Sequence, residues 1–291
     1  MKFTKMHGLG NDYVYVNCFE EDLPDPEQVA IAVSRRHTGI GSDGLILICP
    51  SDSADAKMRM FNADGSEAEM CGNGIRCVAK YVYDRKLAET AGQFSVPGYG
   101  TFQSSLRIET ASGILTLGLE TGEDDTVQRV CVNMGQPILK GPDIPVNIDN
   151  EKVIEEPIDV AKMQLLMTCV SMGNPHAIFF CEDIDSIELE RIGPLIENHQ
   201  LFPQRINVHF VKIASPAEFH MRTWERGSGI TMACGTGACA SAVAGVLAGK
   251  CQPMVTAHLP GGELELNWCA DDNCIYMTGP AVEVFSGTWQ Q

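Results

Sequence analysis

Two stretches of this chain carry one pattern at one fixed distance, and that limits the fold more than any other feature. Met58-Arg59-Met60-Phe61 leads to Cys71-Gly72-Asn73-Gly74, and Met221-Arg222-Thr223-Trp224 leads to Cys234-Gly235-Thr236-Gly237. The separation is 234 − 71 = 163 residues, and the same 163 links Met58 to Met221 and Arg59 to Arg222. An ungapped internal copy predicts two halves built alike, with one cysteine at the equivalent place in each. The full length of 291 residues lets each half bury a core of its own. A thiol on either side of one active site is the arrangement needed to take a proton from one face of a carbon and return it to the other.

Charge and cysteine usage narrow the partners. A formal charge of −17 argues against nucleic acid or an anionic membrane surface, and most of it reads as a solvated exterior. The first residues, Met1-Lys2-Phe3-Thr4-Lys5-Met6-His7-Gly8, have no apolar signal core, and no apolar run is long enough to span a bilayer. A cytoplasmic location is therefore expected, and with it twelve cysteines held as thiols. No Cys-x-x-Cys pair and no zinc-type Cys/His spacing occurs, so no metal is expected.

The periodicity is rich in strands, with helices scattered between them. Strands are expected at 13–17, 45–49, 57–62, 105–109, 114–118 and 127–134 in the first half. In the second they are expected at 166–171, 176–180, 207–214, 218–223, 254–259, 263–268 and 281–285. Helices are expected at 26–36, 72–86, 187–198 and 235–249. The last of these, from Ala238 to Leu247, is small or apolar on every face and so reads as a buried helix inside a curved sheet. Its first-half copy carries Arg76 and Lys80, which predicts a less enclosed helix.

Each Cys-Gly-x-Gly segment would start such a helix. There the positive end of the macrodipole is expected to lower the pKa of Cys71 and Cys234 toward acid–base use. The glycines let a ligand approach the backbone, and the N–H groups of Gly72, Asn73, Gly235 and Thr236 could hold a carboxylate. Two structural cysteines in turns are the competing reading. Gly39-Ile40-Gly41-Ser42-Asp43-Gly44 matches a dinucleotide fingerprint but follows a helix and precedes a strand, the reverse of the required order. It reads as a turn, as does Gly8-Leu9-Gly10-Asn11-Asp12, where Asn11 could still face a ligand. Asn62, Asn174 and Asn207 are either turn residues or, with Arg226, a polar cage for a zwitterionic ligand end. His176 and Glu225 are candidates to tune the thiols, or ordinary strand-end residues.

Taken together these segments resemble the diaminopimelate epimerase family over the whole chain. The residues that carry the resemblance are Phe3-Thr4-Lys5-Met6-His7-Gly8-Leu9-Gly10-Asn11-Asp12 and Phe61-Asn62-Ala63-Asp64-Gly65-Ser66 running into Cys71. They continue with Ser171-Met172-Gly173-Asn174-Pro175-His176 and Glu225-Arg226-Gly227 running into Ala233-Cys234-Gly235-Thr236-Gly237-Ala238. The resemblance implies an isomerase that converts LL-diaminopimelate to the meso form for lysine and peptidoglycan synthesis, without pyridoxal phosphate or other cofactor. It implies Cys71 and Cys234 as a thiolate/thiol pair and His176 and Glu225 as modulators of their pKa values. Substrate contacts are implied at Asn11, Asn62, Asn174, Asn207, Glu225 and Arg226, and at the backbone of Gly72, Asn73, Gly235 and Thr236.

The implied fold is α/β (α+β): two pseudo-symmetric domains, each a curved mixed sheet wrapped around a central helix, with the site in the cleft. The expected domains are 1–131 with 280–291, carrying Cys71, and 132–279, carrying Cys234. Homodimers are implied as well, although Phe285 stands where some members have a tyrosine at the dimer contact. Gly44 stands where some members have Gln, so a side-chain contact to ligand is lost or supplied elsewhere. Two rivals remain: another two-cysteine racemase or epimerase, such as one acting on proline derivatives, and a thiol-based redox or metal-binding protein.

Overall fold

The computed structural model describes residues 1–68 and 70–290, and it is dominated by strands, with four α-helices among the described residues. These are α1 (Pro26–Ser34), α2 (Gly72–Asp84), α3 (Leu189–Glu197) and α4 (Gly235–Leu247). The chain divides into two compact units. Unit 1 comprises Met1–Val96, Gly100–Asn133 and Thr278–Gln291; unit 2 comprises Pro97–Tyr99 and Met134–Met277. Each is a mixed sheet with one long helix against several of its strands, the sheet-rich α+β architecture expected from the alternating pattern.

In unit 1, β1 (Lys2–Gly8) pairs antiparallel with β2 (Asn11–Asn17), β2 parallel with β3 (Gly44–Cys49), and β3 antiparallel with β4 (Ala56–Asn62). Successive side chains of a strand point to opposite faces. Leu45 and Leu47 therefore join Val14, Val16 and Phe61 in a core with Val29 and Val33 of α1. Ile46 faces the other way, toward the first turn of α2.

Unit 2 repeats the plan. The strand Pro175–Phe180 runs parallel to Asn207–Ser215, which pairs antiparallel with Glu218–Glu225. Val208 and Phe210 pack with Ile192 and Ile196 of α3. His209, between them, faces the first turn of α4.

The repeat extends into the register. Tyr13 lies opposite Gly44 and Gly44 opposite Asn62, while 163 residues later His176 lies opposite Asn207. By the same offset Asn11 corresponds to Asn174, Ile46 to His209, Asn62 to Glu225 and Asn73 to Thr236.

The expected helices and main strands are all present, their ends shifted by a few residues. The strands Lys2–Gly8, Val153–Val160 and Ile275–Pro280 were not among the expected ones. One expectation fails. Helix α2 is no less enclosed than α4, since ten of its thirteen residues are buried, and ten of thirteen in α4. Arg76 is wholly buried because its guanidinium is engaged by oxygens. Nη1 donates to the Gly72 carbonyl at 2.9 Å, Nη2 to Asn73 Oδ1 at 2.9 Å, and Nε to the Pro280 carbonyl at 3.2 Å.

Candidate active site

Each duplicated cysteine is the N-cap of the long helix of its unit, with extended backbone before the first helical turn. Helix starts leave N–H groups without intrahelical partners, so ligand-binding donors collect there. In unit 1 the Gly74 N–H donates to Cys71 Sγ at 3.4 Å, and Cys71 Sγ lies 3.4 Å from Asn11 Oδ1. Asn73 Nδ2 also donates to Asn11 Oδ1, at 3.3 Å. Asn73 is held in turn by Arg76, so the buried cation orients the amide beside the thiol. Asn11 donates through Nδ2 to Asp43 at 2.8 Å, and Asp43 pairs with Arg36 at 2.8 Å. The turn Gly39–Gly44 therefore supplies a carboxylate that anchors Asn11. A phosphate would meet that negative charge.

Asn62, at the end of β4, donates to Ser66 at 3.0 Å. Gly44 lies opposite it, and a Cβ there would fall 2.1 Å from the Phe61 carbonyl oxygen and 2.9 Å from Tyr13 Cε1. Backbone crowding thus leaves room for glycine alone at position 44. In unit 2 the corresponding position does carry a side chain, Asn207. It donates to the Pro175 carbonyl at 2.9 Å and accepts the Arg226 N–H at 2.9 Å, bracketing the turn on which Arg226 sits. Arg226 is half-buried, and its Nη1 donates to the Gln204 carbonyl at 3.0 Å.

Cys234 is buried and differs electrostatically from the expectation. Burial, and then the Glu225 carboxylate beside it, push the thiol well above its ordinary value. A helix macrodipole is worth about 0.3–2 kcal/mol, about one pKa unit, whereas full burial shifts a group by up to ~3–5 units. Desolvation therefore wins, and Cys234 is a thiol at neutral pH. The Thr231 hydroxyl fixes Glu225 by donating to Oε1 at 2.6 Å.

Around Cys234 runs a line of polar side chains. Thr236 Oγ1 lies 3.7 Å from the sulfur and accepts from Asn174 Nδ2 at 3.4 Å. Asn174 Oδ1 meets His176 Nε2 at 2.9 Å, and His176 Nδ1 meets His209 Nε2 at 2.9 Å. His209 Nδ1 meets the Thr223 hydroxyl at 2.9 Å. Both rings are wholly buried, and burial holds His176 well below its ordinary value and His209 down to about 3, so both are neutral.

His209 does not stand out in the sequence, where it reads as the polar member of an alternating strand. The signal that could have found it is the 163-residue offset, which places it at the position of buried Ile46. His176, His209 and Cys234 bring ligand atoms within 4.8 Å of one another, the one such grouping among the described residues that suits a metal. All four ring nitrogens, however, are engaged with neighbouring side chains, and an ion would have to break that line.

The chain matches the family model described as diaminopimelate epimerase over residues 3–140 and 168–284. It is 54% identical over 287 residues to the diaminopimelate epimerase of Acetivibrio thermocellus, covering 99% of this chain and 98% of that protein. It is 52% identical to the diaminopimelate epimerase of Methanococcus maripaludis, with 99% of each chain covered. Among solved structures, a hydroxyproline epimerase from Agrobacterium vitis superposes with a TM-score of 0.65 at 14% identity, over 99% of this chain and 90% of that one. A phenazine biosynthesis protein of the PhzF family from Bacillus anthracis gives 0.67 at 17% identity, over 99% and 98%. At such identities the last two share the fold alone.

Proposed function

This chain belongs to the diaminopimelate epimerase family, and from that premise we propose that it interconverts LL- and meso-2,6-diaminopimelate by two-base proton transfer. It is an isomerase that serves lysine and peptidoglycan synthesis, and its chemistry needs no cofactor. Cys71 and Cys234 are the acid–base pair. One sulfur takes the α-proton as the other gives its own proton to the opposite face of the carbon, so charge and protons balance within one turnover. The thiol state of Cys234 makes it the donor in one direction and Cys71 the base.

An amino-acid α-proton is a very weak acid, and the negative charge formed on its loss must be met by fixed dipoles. The N–H groups of Gly72, Asn73, Gly235 and Thr236 at the helix starts receive the carboxylate. Asn11, Asn62, Asn174, Asn207, Glu225 and Arg226 fix the rest of the zwitterion, and His176 and Glu225 set the proton affinity of the thiols. The observation that carries this reading is the repeated helix-capping cysteine with an asparagine at the equivalent place in each unit, Asn11 against the sulfur in one and Asn174 reaching it through the Thr236 hydroxyl in the other.

Racemases of proline derivatives are fold relatives at 14% identity and do not displace it. The exposed apolar residues Val282, Val284 and Phe285 on one strand support pairing of two copies along that edge. The activity is tested by following LL-to-meso conversion by chiral chromatography in the wild type and in the Cys71→Ser and Cys234→Ser variants. General acid–base catalysis is worth about 10²–10⁴-fold, and each variant should lose at least that. Unchanged conversion in either variant would remove that residue from the mechanism.

A further inference from the structure

The buried line from Thr223 to Cys234 has a direction. Asn174 gives its Nδ2 hydrogens to Thr236, so its Oδ1 can only accept, and His176 Nε2 must carry a proton. A neutral imidazole has one N–H, so His176 Nδ1 accepts from His209 Nε2–H, and His209 Nδ1 accepts from the Thr223 hydroxyl. At the other end Thr236 Oγ1, holding Asn174 as a donor, has its own proton to give to a thiolate and a second lone pair to accept a thiol S–H.

We propose that His209 is a positioning residue for this site: it fixes His176 in the Nε2–H tautomer and so aims Asn174 and the Thr236 hydroxyl at the Cys234 sulfur. Two further observations carry this. The His209 ring lies directly under the first turn of α4, where a Cβ on Gly237 would fall 2.2 Å from Cε1, so the ring also seats the helix start that Cys234 caps. And the fold itself does not require the ring. In unit 1 the same places, 209 − 163 = 46 and 223 − 163 = 60, hold Ile46 and Met60, and the equivalent helix start closes over Ile46. Burying an imidazole and a hydroxyl where the same frame accepts Ile46 and Met60 costs stability, and that cost is kept in one half only.

The catalytic consequence rests on the two-cysteine reading above; the tautomer does not. The test is ¹⁵N–¹H NMR of the histidine rings in the full-length protein, alongside kcat and KM for LL-diaminopimelate. Wild type should show His176 as the Nε2–H tautomer. His209→Ile, which copies the other half, should lose that single tautomer and lower kcat by about 10–10²-fold, the scale for misplacing a group near the reacting atoms, with KM little changed. His209→Gln, whose amide can still donate to His176 Nδ1, should restore both signals. Thr223→Val keeps the shape, removes the terminal donor, and should populate the Nδ1–H form of His176; it decides the matter if His209→Ile does not fold. A His176 spectrum unmoved in Thr223→Val, a wild-type kcat in folded His209→Ile, or a His209→Gln variant as impaired as His209→Ile would each overturn the proposal. A wild type that shows the Nε2–H tautomer but no epimerisation would instead fail the function and leave the positioning intact.

Discussion

Acid should destabilise this protein through a group that carries no charge at neutral pH. In the folded chain, burial holds His209 down to about 3, whereas an unfolded histidine titrates near ~6.5. Below pH 6.5 the unfolded chain therefore takes up a proton that the folded chain refuses. The stability is fully present above that pH and drains away as pH falls toward the folded value. One such group costs about 1.4 kcal/mol per pH unit, hence about 2 kcal/mol between pH 6.5 and 5.0. That is readable against a typical total of about 5–15 kcal/mol.

Carboxylates and the other histidines add their own slope, so the informative quantity is a difference. Urea unfolding at constant ionic strength, followed by circular dichroism at pH 7.5, 6.5 and 5.0, should show the wild type losing about 2 kcal/mol more than His209→Gln over the lower interval. Parallel pH profiles for the two proteins would refute a buried, neutral His209, and with it the hydrogen-bond direction built on it.

Two other perturbations probe the site from different sides. Because burial and Glu225 raise the Cys234 thiol, its alkylation by iodoacetamide, mapped by mass spectrometry, should climb about tenfold per pH unit through pH 9; a plateau by pH 8.5 would show a thiol acidified below its ordinary value and contradict the burial argument. Gly44→Ala should cost about 1–3 kcal/mol in thermal or urea unfolding, since its Cβ would meet the Phe61 carbonyl, and an unchanged midpoint would deny the crowding.

Much of this was legible in the sequence because the signals were local or repeated. The offset of 163 residues carried the two-fold plan, and glycine on both sides of each x marked the helix starts. Small residues throughout Ala238–Leu247 marked a buried helix. What was not legible depended on tertiary surroundings. Arg76 reads as a surface cation, yet it is buried because the Pro280 carbonyl, from a distant part of the chain, joins the Gly72 carbonyl and Asn73 of its own helix around it. The Cys234 thiol was expected to be acidified by its helix, a rule that holds only where water still reaches the sulfur. His209 was invisible because strand alternation alone cannot distinguish a sheet with one solvated face from a sheet covered on both. Here α3 and α4 cover both faces.

The most direct test of the two-thiol account is incubation of the reduced protein with LL-diaminopimelate in deuterated water, with α-deuterium and meso product followed together. The account predicts deuterium at a single α-carbon appearing with the meso product, and loss of turnover to the meso form in Cys71→Ser and Cys234→Ser. No exchange and no meso product, with both thiols shown to be reduced, would contradict it.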